Sequence, residues 1–123
     1  MEKPIISIVV PTFNCASELK KTLESLKKQE YIGFECVIVD GNSTDHTVIV
    51  AEEYKNKVNF SITISVEKDK GIYDAMNKGV QLAQGKYIQF LGAGDTLVDS
   101  TTLKMLLNFA EKISLMLSMV MLI

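Results

Sequence analysis

The sequence contains no arginine, one histidine and two cysteines. The scarcity of these residues limits the metal sites and the catalytic nucleophiles that the chain could form. Cys15 and Cys36 form no CxxC pair, so we expect no zinc site and interpret both as buried, reduced thiols. Cys15 has no evident partner histidine, which argues against a thiol nucleophile. We assign no role to His46, which lies in a segment predicted to begin a helix.

Strong charge and long hydrophobic runs are also missing. The formal net charge of −2 gives no electrostatic reason to expect a nucleic-acid partner. The first apolar run is too short for a secretory signal, and Ile113–Ile123 is shorter than the roughly 20 residues that span a bilayer. We therefore expect a soluble, cytoplasmic protein.

Two common phosphate-binding motifs are absent. No Gly-x-Gly-x-x-Gly follows the first apolar run, and the sequence has no Walker motif. Both absences argue against a dehydrogenase and against a P-loop enzyme.

The 123 residues suit one domain in which apolar runs alternate with amphipathic segments. The apolar runs predict four strands, at Ile5–Val10, Phe34–Val39, Phe60–Val66 and Tyr87–Leu91, of which the first, second and fourth should be buried. Helical spacing predicts helices over about Ser17–Gln29, from the capping residues Asn42–Asp45 to about Tyr54, from Gly71 towards Gly85, and from about Ser100 onward. This alternation predicts an α/β fold with a mainly parallel sheet and helices on its faces.

Three polar residues follow predicted strands. Thr12, Asp40 and Asp95 come after strands one, two and four, so they should meet at the edge where such sheets bind ligands. Asp40 is suited to accept hydrogen bonds from a base or from ribose hydroxyls, and Asp95 is suited to hold Mg²⁺ or Mn²⁺. Each also has a structural alternative, because Thr12 could fix a turn and either aspartate could belong to a turn or a helix cap.

A second polar segment precedes the helix predicted at Gly71. Lys68 and Lys70 could neutralise a diphosphate there, helped by the positive N-terminus of that helix. The alternative is that both lysines belong to a solvated loop.

Four segments together resemble the ordered motifs of family 2 glycosyltransferases. They are Ile8-Val-Val-Pro-Thr-Phe-Asn14, Val37-Ile-Val-Asp-Gly-Asn-Ser-Thr-Asp45, Gly71-Ile-Tyr-Asp-Ala-Met-Asn-Lys-Gly79 and Gly85-Lys-Tyr-Ile-Gln-Phe-Leu-Gly-Ala-Gly-Asp95. The resemblance covers roughly residues 5 to 110 and implies a GT-A fold. The third segment is similar to the subgroup that builds bacterial exopolysaccharide and lipopolysaccharide repeat units.

The resemblance implies transfer of a sugar, with inversion, from a nucleotide-diphosphate donor to a glycan or lipid-linked acceptor. A UDP-sugar is the expected donor, and the expected location is the cytoplasm or the inner face of the cell membrane. Asp95 matches the aspartate that meets the metal, Mg²⁺ or Mn²⁺. The implied donor-binding residues are Pro11, Thr12, Asn14, Asp40, Asn42, Lys70, Gly71, Asp74 and Asn77.

The sequence departs from the family pattern in two ways. Asp95 is the only carboxylate of a motif that usually has two, so metal binding could be weaker or could depend mainly on the donor's diphosphate. Family members also continue into an acceptor-binding half that carries the catalytic base, and no residue here is identified as that base. We therefore expect residues 1–113 to form the donor half of an incomplete GT-A domain with little or no activity of its own.

The final ten residues, 114–123, have no charge and no glycine but contain three methionines. A synonymous back-translation of this segment, read two bases later, encodes Ala-Asp-Val-Ile-Tyr-Gly-Asp-Val-Asn, which resembles the family's continuation. We hypothesise a frameshift near Ile113, and gene codons incompatible with the second frame would refute it. The alternative is a genuine strand or buried helix end that is paired with something absent here. If exposed, the apolar tail would favour association into homo-oligomers.

Two other functions compete with sugar transfer. A non-catalytic fragment that binds nucleotide or nucleotide sugar is the main alternative. A sugar-nucleotide pyrophosphorylase would need a glycine-rich activating loop with an arginine near the N-terminus, and the Pro11–Asn14 segment is not such a loop.

Overall fold

The computed structural model describes residues 3–121, so Leu122 and Ile123 of the apolar tail lie outside the described residues. Strands and helices alternate along the chain as predicted. The strands are β1 (Ile6–Thr12), β2 (Phe34–Asp40), β3 (Ser61–Val66) and β4 (Tyr87–Phe90). The helices are α1 (Ala16–Lys27), α2 (Thr47–Lys55), α3 (Ile72–Leu82) and α4 (Thr102–Met121).

The four strands form one parallel sheet in the order β3-β2-β1-β4. This confirms the predicted parallel sheet, with β1 and β2 at its centre. Thr12 pairs with Asp40 across these two strands. The N–H group of Gly41 donates to the carbonyl of Thr12 at 2.9 Å, which carries the ladder one residue beyond β2.

Helices cover both faces of the sheet. Side chains along each strand alternate between the two faces, so each face contributes apolar residues to its own core. On one face α1, α2 and α4 enclose the larger core, which includes Ile8, Cys36 and Leu23. On the other face α3 packs through Ala75 against the valines of β1 and β2. Gly79 allows this close approach, since a Cβ there would overlap the side chain of Val9.

Two predicted boundaries are wrong by a few residues. β1 continues through Pro11 to Thr12 instead of ending at Val10. The α2 helix begins at Thr47, after the predicted capping segment, and Asp45 accepts a hydrogen bond from the Thr47 N–H at 2.9 Å. Asp45 therefore shapes the turn that leads into α2.

The prediction that the fourth strand is buried is wrong. β4 is an edge strand, and Ile88 and Phe90 are 38% and 37% exposed. Their partners in the register are Ser7 and Val9, which places them on the α3 face. Because α3 packs on β1 and β2, these two side chains remain partly accessible.

The apolar tail continues α4, so the interpretation of this segment as a strand is wrong over the described residues. Leu115, Met116, Leu117 and Met119 are each at least 60% exposed in this chain, so a helix end buried against a partner stays a prediction. Within residues 3–121, no helix combines the length and hydropathy that a membrane span requires.

Candidate functional site

A buried hydrogen-bond cluster joins the carboxyl ends of β1 and β2. Asp40 is 1% exposed and Thr12 is 5% exposed. The Thr12 hydroxyl donates to Asp40 Oδ1 at 2.6 Å. Ser43 donates to the same carboxylate twice, from its hydroxyl to Oδ1 and from its N–H to Oδ2, both at 2.7 Å. Asp40 therefore fixes the conformation of both strand ends, and most of its capacity to accept hydrogen bonds is used inside the protein.

Asn14 links the loop after β1 to the loop after β2. Its side-chain Oδ1 accepts from the N–H groups of Thr44 at 2.8 Å and Asp45 at 3.3 Å. Its own N–H donates to the hydroxyl of Ser43 at 2.8 Å. Asn14 and the neighbouring exposed Asn42 both have positive φ, at 49° and 70°, which asparagine tolerates better than most residues. The two predicted binding loops thus form one rigid unit.

A cavity of about 290 Å³ opens at this edge of the sheet, on the α3 side. Of the residues predicted to bind the donor, Pro11, Thr12 and Gly71 line it. Its full lining consists of Pro11, Thr12, Phe13, Asp69, Gly71, Ile72 and Ala75.

The approach to this cavity depends on two glycines. Gly71 has φ 116° and ψ −175°, a conformation essentially restricted to glycine, and its N–H donates to Asp69 Oδ1 at 3.1 Å. A Cβ on buried Gly41 would lie 2.9 Å from Asp69 Oδ2. Asp69 therefore lies between the end of β2 and the start of α3, beside the cavity.

The start of α3 carries the remaining predicted donor residues. Lys70 is exposed, and its backbone N–H donates to Asp74 Oδ2 at 2.9 Å. Asp74 also pairs with Lys78 at 3.4 Å, and these contacts, led by the hydrogen bond from Lys70, lower the pKa of Asp74. Asn77 is exposed on the same helix. Asp74 therefore has a structural role in the turn, while the ammonium of Lys70 lies at the surface.

Asp95 lies in a tight turn after β4. Its Oδ2 accepts from the Gly92 N–H at 3.1 Å, and its backbone N–H donates to the Gly92 carbonyl at 2.9 Å. Gly94 supports the turn with φ 100°. Asp95 is exposed, and its Oδ1 accepts no hydrogen bond from residues 3–121.

The donor set at this turn fits a cation shared with a substrate. Among residues 3–121 there is no group of three or more histidine, cysteine, aspartate or glutamate side chains that could hold a metal alone. Mg²⁺ in phosphate-handling sites typically uses one or two carboxylates and completes its shell with water and substrate phosphates. An exposed aspartate with one free oxygen meets that requirement.

The strand order separates the two predicted aspartates by one strand. Asp40 ends β2 and Asp95 follows β4, with β1 between them. Adjacent strands lie about 4.8 Å apart, so β2 and β4 are separated by roughly 10 Å across the sheet. β4 also ends lower along β1, since Phe90 pairs with Val9 whereas Asp40 pairs with Thr12. Both lie at the carboxyl edge, but Asp95 does not line the 290 Å³ cavity. The larger cavity, of about 730 Å³, lies between α1 and residues 96–100 and contains no predicted site residue.

The two cysteines are free, and the structure gives them no reactive environment. Burial raises the pKa of the Cys36 thiol to about 12. Burial is also the main cause that raises the pKa of half-buried Cys15. Both shifts disfavour the thiolate, which agrees with the absence of a predicted thiol nucleophile.

The contacts of Ser43 and Asp69 with residues of the candidate site were not predicted from the sequence. Ser43 lies three residues after Asp40, a spacing at which an aspartate often accepts from a downstream backbone N–H. Asp69 lies between Lys68 and Lys70, the two lysines whose charge indicated a diphosphate site. Spacing could have indicated Ser43, whereas the position of Asp69 depends on how α3 packs.

Comparison with known proteins identifies the family. The model of glycosyl transferase family 2 matches residues 7–119. A PGL/p-HBAD biosynthesis glycosyltransferase of Mycobacterium bovis (strain BCG / Pasteur 1173P2) is 43% identical over 103 residues, which cover 84% of this chain and 40% of that protein. The poly(ribitol-phosphate) beta-N-acetylglucosaminyltransferase TarS of Staphylococcus aureus (strain Mu50 / ATCC 700699) is 33% identical over 100 residues, 80% of this chain and 17% of TarS. The chain thus spans less than half the length of these relatives.

Solved structures agree with this assignment. The crystal structure of S. aureus TarS in complex with UDP-GlcNAc matches with a TM-score of 0.77 and 31% identity, over 88% of this chain and 31% of that chain. The mannosyltransferase PcManGT from Pyrobaculum calidifontis, in complex with GDP-Man and Mn²⁺, matches with a TM-score of 0.76 and 25% identity, over 83% and 31% respectively. The parallel sheet, its helices and these matches show that the chain has a GT-A-type α/β fold and belongs to glycosyl transferase family 2.

Proposed function

We propose that this chain forms the nucleotide-sugar donor site of an inverting glycosyltransferase. The observation that carries the proposal is the arrangement at the carboxyl edge of the sheet. Thr12 and Asp40 fix one side of a cavity, Gly71 and the start of α3 form the other, and the Asp95 turn lies across β1. This is the edge at which open α/β sheets bind ligands.

The residues at this edge suit a nucleoside diphosphate. Pro11, Thr12 and Gly71 provide the cavity wall, and the exposed Lys70 supplies a positive charge near the N-terminus of α3. The predicted contact of Asp40 with the base or ribose would use the capacity left by its internal hydrogen bonds. Binding of UDP-GlcNAc by TarS supports a UDP-sugar as donor.

Asp95 is the residue that would hold a divalent cation, Mg²⁺ or Mn²⁺. Its free Oδ1 and exposed position support this role, as does the Mn²⁺ in the PcManGT complex. When bound, the cation supplies positive charge to the departing diphosphate. The Gly92 N–H holds the other carboxylate oxygen, which keeps Oδ1 directed out of the turn.

The proposed acceptor is a glycan or a lipid-linked molecule. The proposed location of the reaction is the cytoplasm, at the inner face of the membrane. TarS, whose name gives poly(ribitol-phosphate) as its acceptor, supports a polymeric acceptor. None of the described residues is assigned as the general base. A non-catalytic nucleotide-binding role is therefore the second candidate.

Calorimetry with UDP-GlcNAc or GDP-Man, with Mn²⁺ or with EDTA, tests the donor site. We expect UDP-GlcNAc to bind more tightly with Mn²⁺, and Asp95→Ala to abolish that metal-dependent gain. Asp99→Ala is the matched control, because Asp99 is an exposed carboxylate of the same connection and caps Thr101 instead. No binding of either donor would refute the proposal.

An assay of sugar transfer or donor hydrolysis then separates the two candidate functions. Turnover with retained stereochemistry would refute inversion. Binding without turnover would favour the non-catalytic role.

A further inference from the structure

A face of α1 contacts the connection between β4 and α4, residues 91–101, through polar side chains. Thr22 on this face is fully buried. Its hydroxyl donates to the backbone carbonyl of Asp95 at 2.7 Å and accepts from the N–H of Gly94 at 2.9 Å. One side chain therefore satisfies two backbone groups within the turn that carries the predicted metal ligand.

The contact continues along the same helix and just beyond its end. The Ser25 hydroxyl accepts from the Leu97 N–H at 3.2 Å. Gln29 donates to the Asp99 carbonyl at 2.7 Å and accepts from the Leu103 N–H at 3.1 Å. Thr22, Ser25 and Gln29 are spaced three and four residues apart, the spacing that places side chains on one helical face.

The connection contains no helix or strand of its own, so its conformation depends on these contacts with α1. The bonds from α1 are made to the backbone of the connection, so they hold its path in addition to the bond between the Asp95 carboxylate and the Gly92 N–H. Thr22 acts at the turn itself, between Gly94 with φ 100° and the exposed carboxylate of Asp95. A displaced turn would move that carboxylate away from the donor edge.

We propose that Thr22 is the positioning residue for the Asp95 carboxylate, with Ser25 and Gln29 extending the support. This inference rests on the proposed function, because it assigns a determinant of cation affinity within that donor site. Thr22 itself does not touch cation or donor. Its effect passes through the backbone of Gly94 and Asp95.

The Mn²⁺ requirement for UDP binding tests the proposal, measured by calorimetry with the full chain. Thr22→Val keeps the shape of the side chain and removes the hydroxyl. It is expected to raise the Mn²⁺ concentration needed by about 10-fold or more, the usual effect of losing a group that orients a metal ligand. UDP binding in EDTA should stay unchanged, and Thr22→Ser, which retains the hydroxyl, should restore the wild-type requirement.

Ser7→Ala is the matched control. Ser7 is also fully buried, and its hydroxyl also accepts from a glycine N–H, that of Gly85, at 2.8 Å. It lies near the opposite end of β1, so its loss should leave the Mn²⁺ requirement unchanged. An equal Mn²⁺ requirement in Thr22→Val and wild type would overturn the inference, and so would equal weakening with and without Mn²⁺.

The failure of the proposed function is distinguishable from that of this inference. Wild-type protein that binds no UDP in any condition overturns both, whereas Mn²⁺-dependent binding that Thr22→Val leaves unchanged overturns only the role of Thr22. If Thr22→Val does not fold, Ser25→Ala replaces it, because Ser25 is partly exposed and holds the same connection. That variant should raise the requirement by a smaller factor, and no change would count against the proposal.

Discussion

Asp40→Ala removes the carboxylate that accepts three hydrogen bonds where β1 and β2 end. A hydrogen bond to a charged group contributes about 1.5 to 3 kcal/mol, but the hydroxyls of Thr12 and Ser43 can find other partners by rotation. The Ser43 N–H cannot rotate and loses its acceptor. We therefore expect Asp40→Ala to lower the free energy of unfolding by about 2 to 4 kcal/mol, of which about 1 to 3 comes from the unsatisfied N–H and about 1 from the imperfect replacement of the two hydroxyl bonds.

Asp40→Asn is the informative companion variant. Its amide oxygen can accept from the Ser43 N–H, and its NH₂ group can donate to the two hydroxyls once these rotate. We expect a loss of only about 1 to 2 kcal/mol, within the 6 to 18 kcal/mol expected roughly for a chain of this length.

Urea unfolding followed by far-UV circular dichroism, fitted with a common m-value, measures both losses. Ser43→Ala is the control. It removes the hydroxyl, which donates to Asp40 and accepts from the Asn14 N–H, and leaves the backbone N–H of residue 43 paired with Asp40. The reasoning is refuted if Asp40→Ala unfolds like wild type, or if Asp40→Asn is as damaging as Asp40→Ala.

Three further predictions concern the backbone, the thiols and pH. Gly71→Ala should lower the free energy of unfolding in urea by about 1 to 3 kcal/mol. The cause is backbone strain alone, because a Cβ at this position would contact nothing, and an unchanged midpoint would contradict this. Iodoacetamide at pH 8 should modify Cys15 before Cys36, as read by mass spectrometry, since Cys36 is fully buried with a pKa of about 12; the reverse order would be a failure. Hydrogen bonds from Thr47 lower the pKa of Asp45, so its contribution to stability is present above the unfolded pKa and is lost as pH falls through the lower folded value. Asp45→Asn should therefore show a smaller loss of urea midpoint than wild type between pH 6 and pH 3, and equal losses would exclude this role.

The sheet could be predicted because its strands carry their signal locally. The β-branched runs before Pro11 and Asp40 form the two central strands, and the alternating run that ends at Val66 forms an edge strand. The exposure of β4 could not be predicted, because Phe90 has the same apolar character as a buried residue. Its environment depends on which strands α3 covers.

The position of the donor site could be predicted from the sequence, but the contacts between its residues could be predicted less well. Strand ends placed Thr12, Asp40 and Asp95 at one edge, and the structure brings Thr12 and Asp40 into direct contact. Nothing in the spacing of Asp40 reveals that its carboxylate is buried and already bonded. The role of Thr22 depends on α1 lying beside a turn more than seventy residues away, which no local pattern encodes.

Paramagnetic broadening by Mn²⁺ tests most directly whether these strand ends form one donor site. Mn²⁺ is added to the ¹⁵N-labelled chain with and without UDP, and the loss of amide signal is mapped by residue. With UDP present, we predict the strongest loss at Gly94 and Asp95, extending across β1 to Thr12 and Gly71, and much weaker loss without UDP. Broadening centred elsewhere, or unchanged by UDP, would contradict the account.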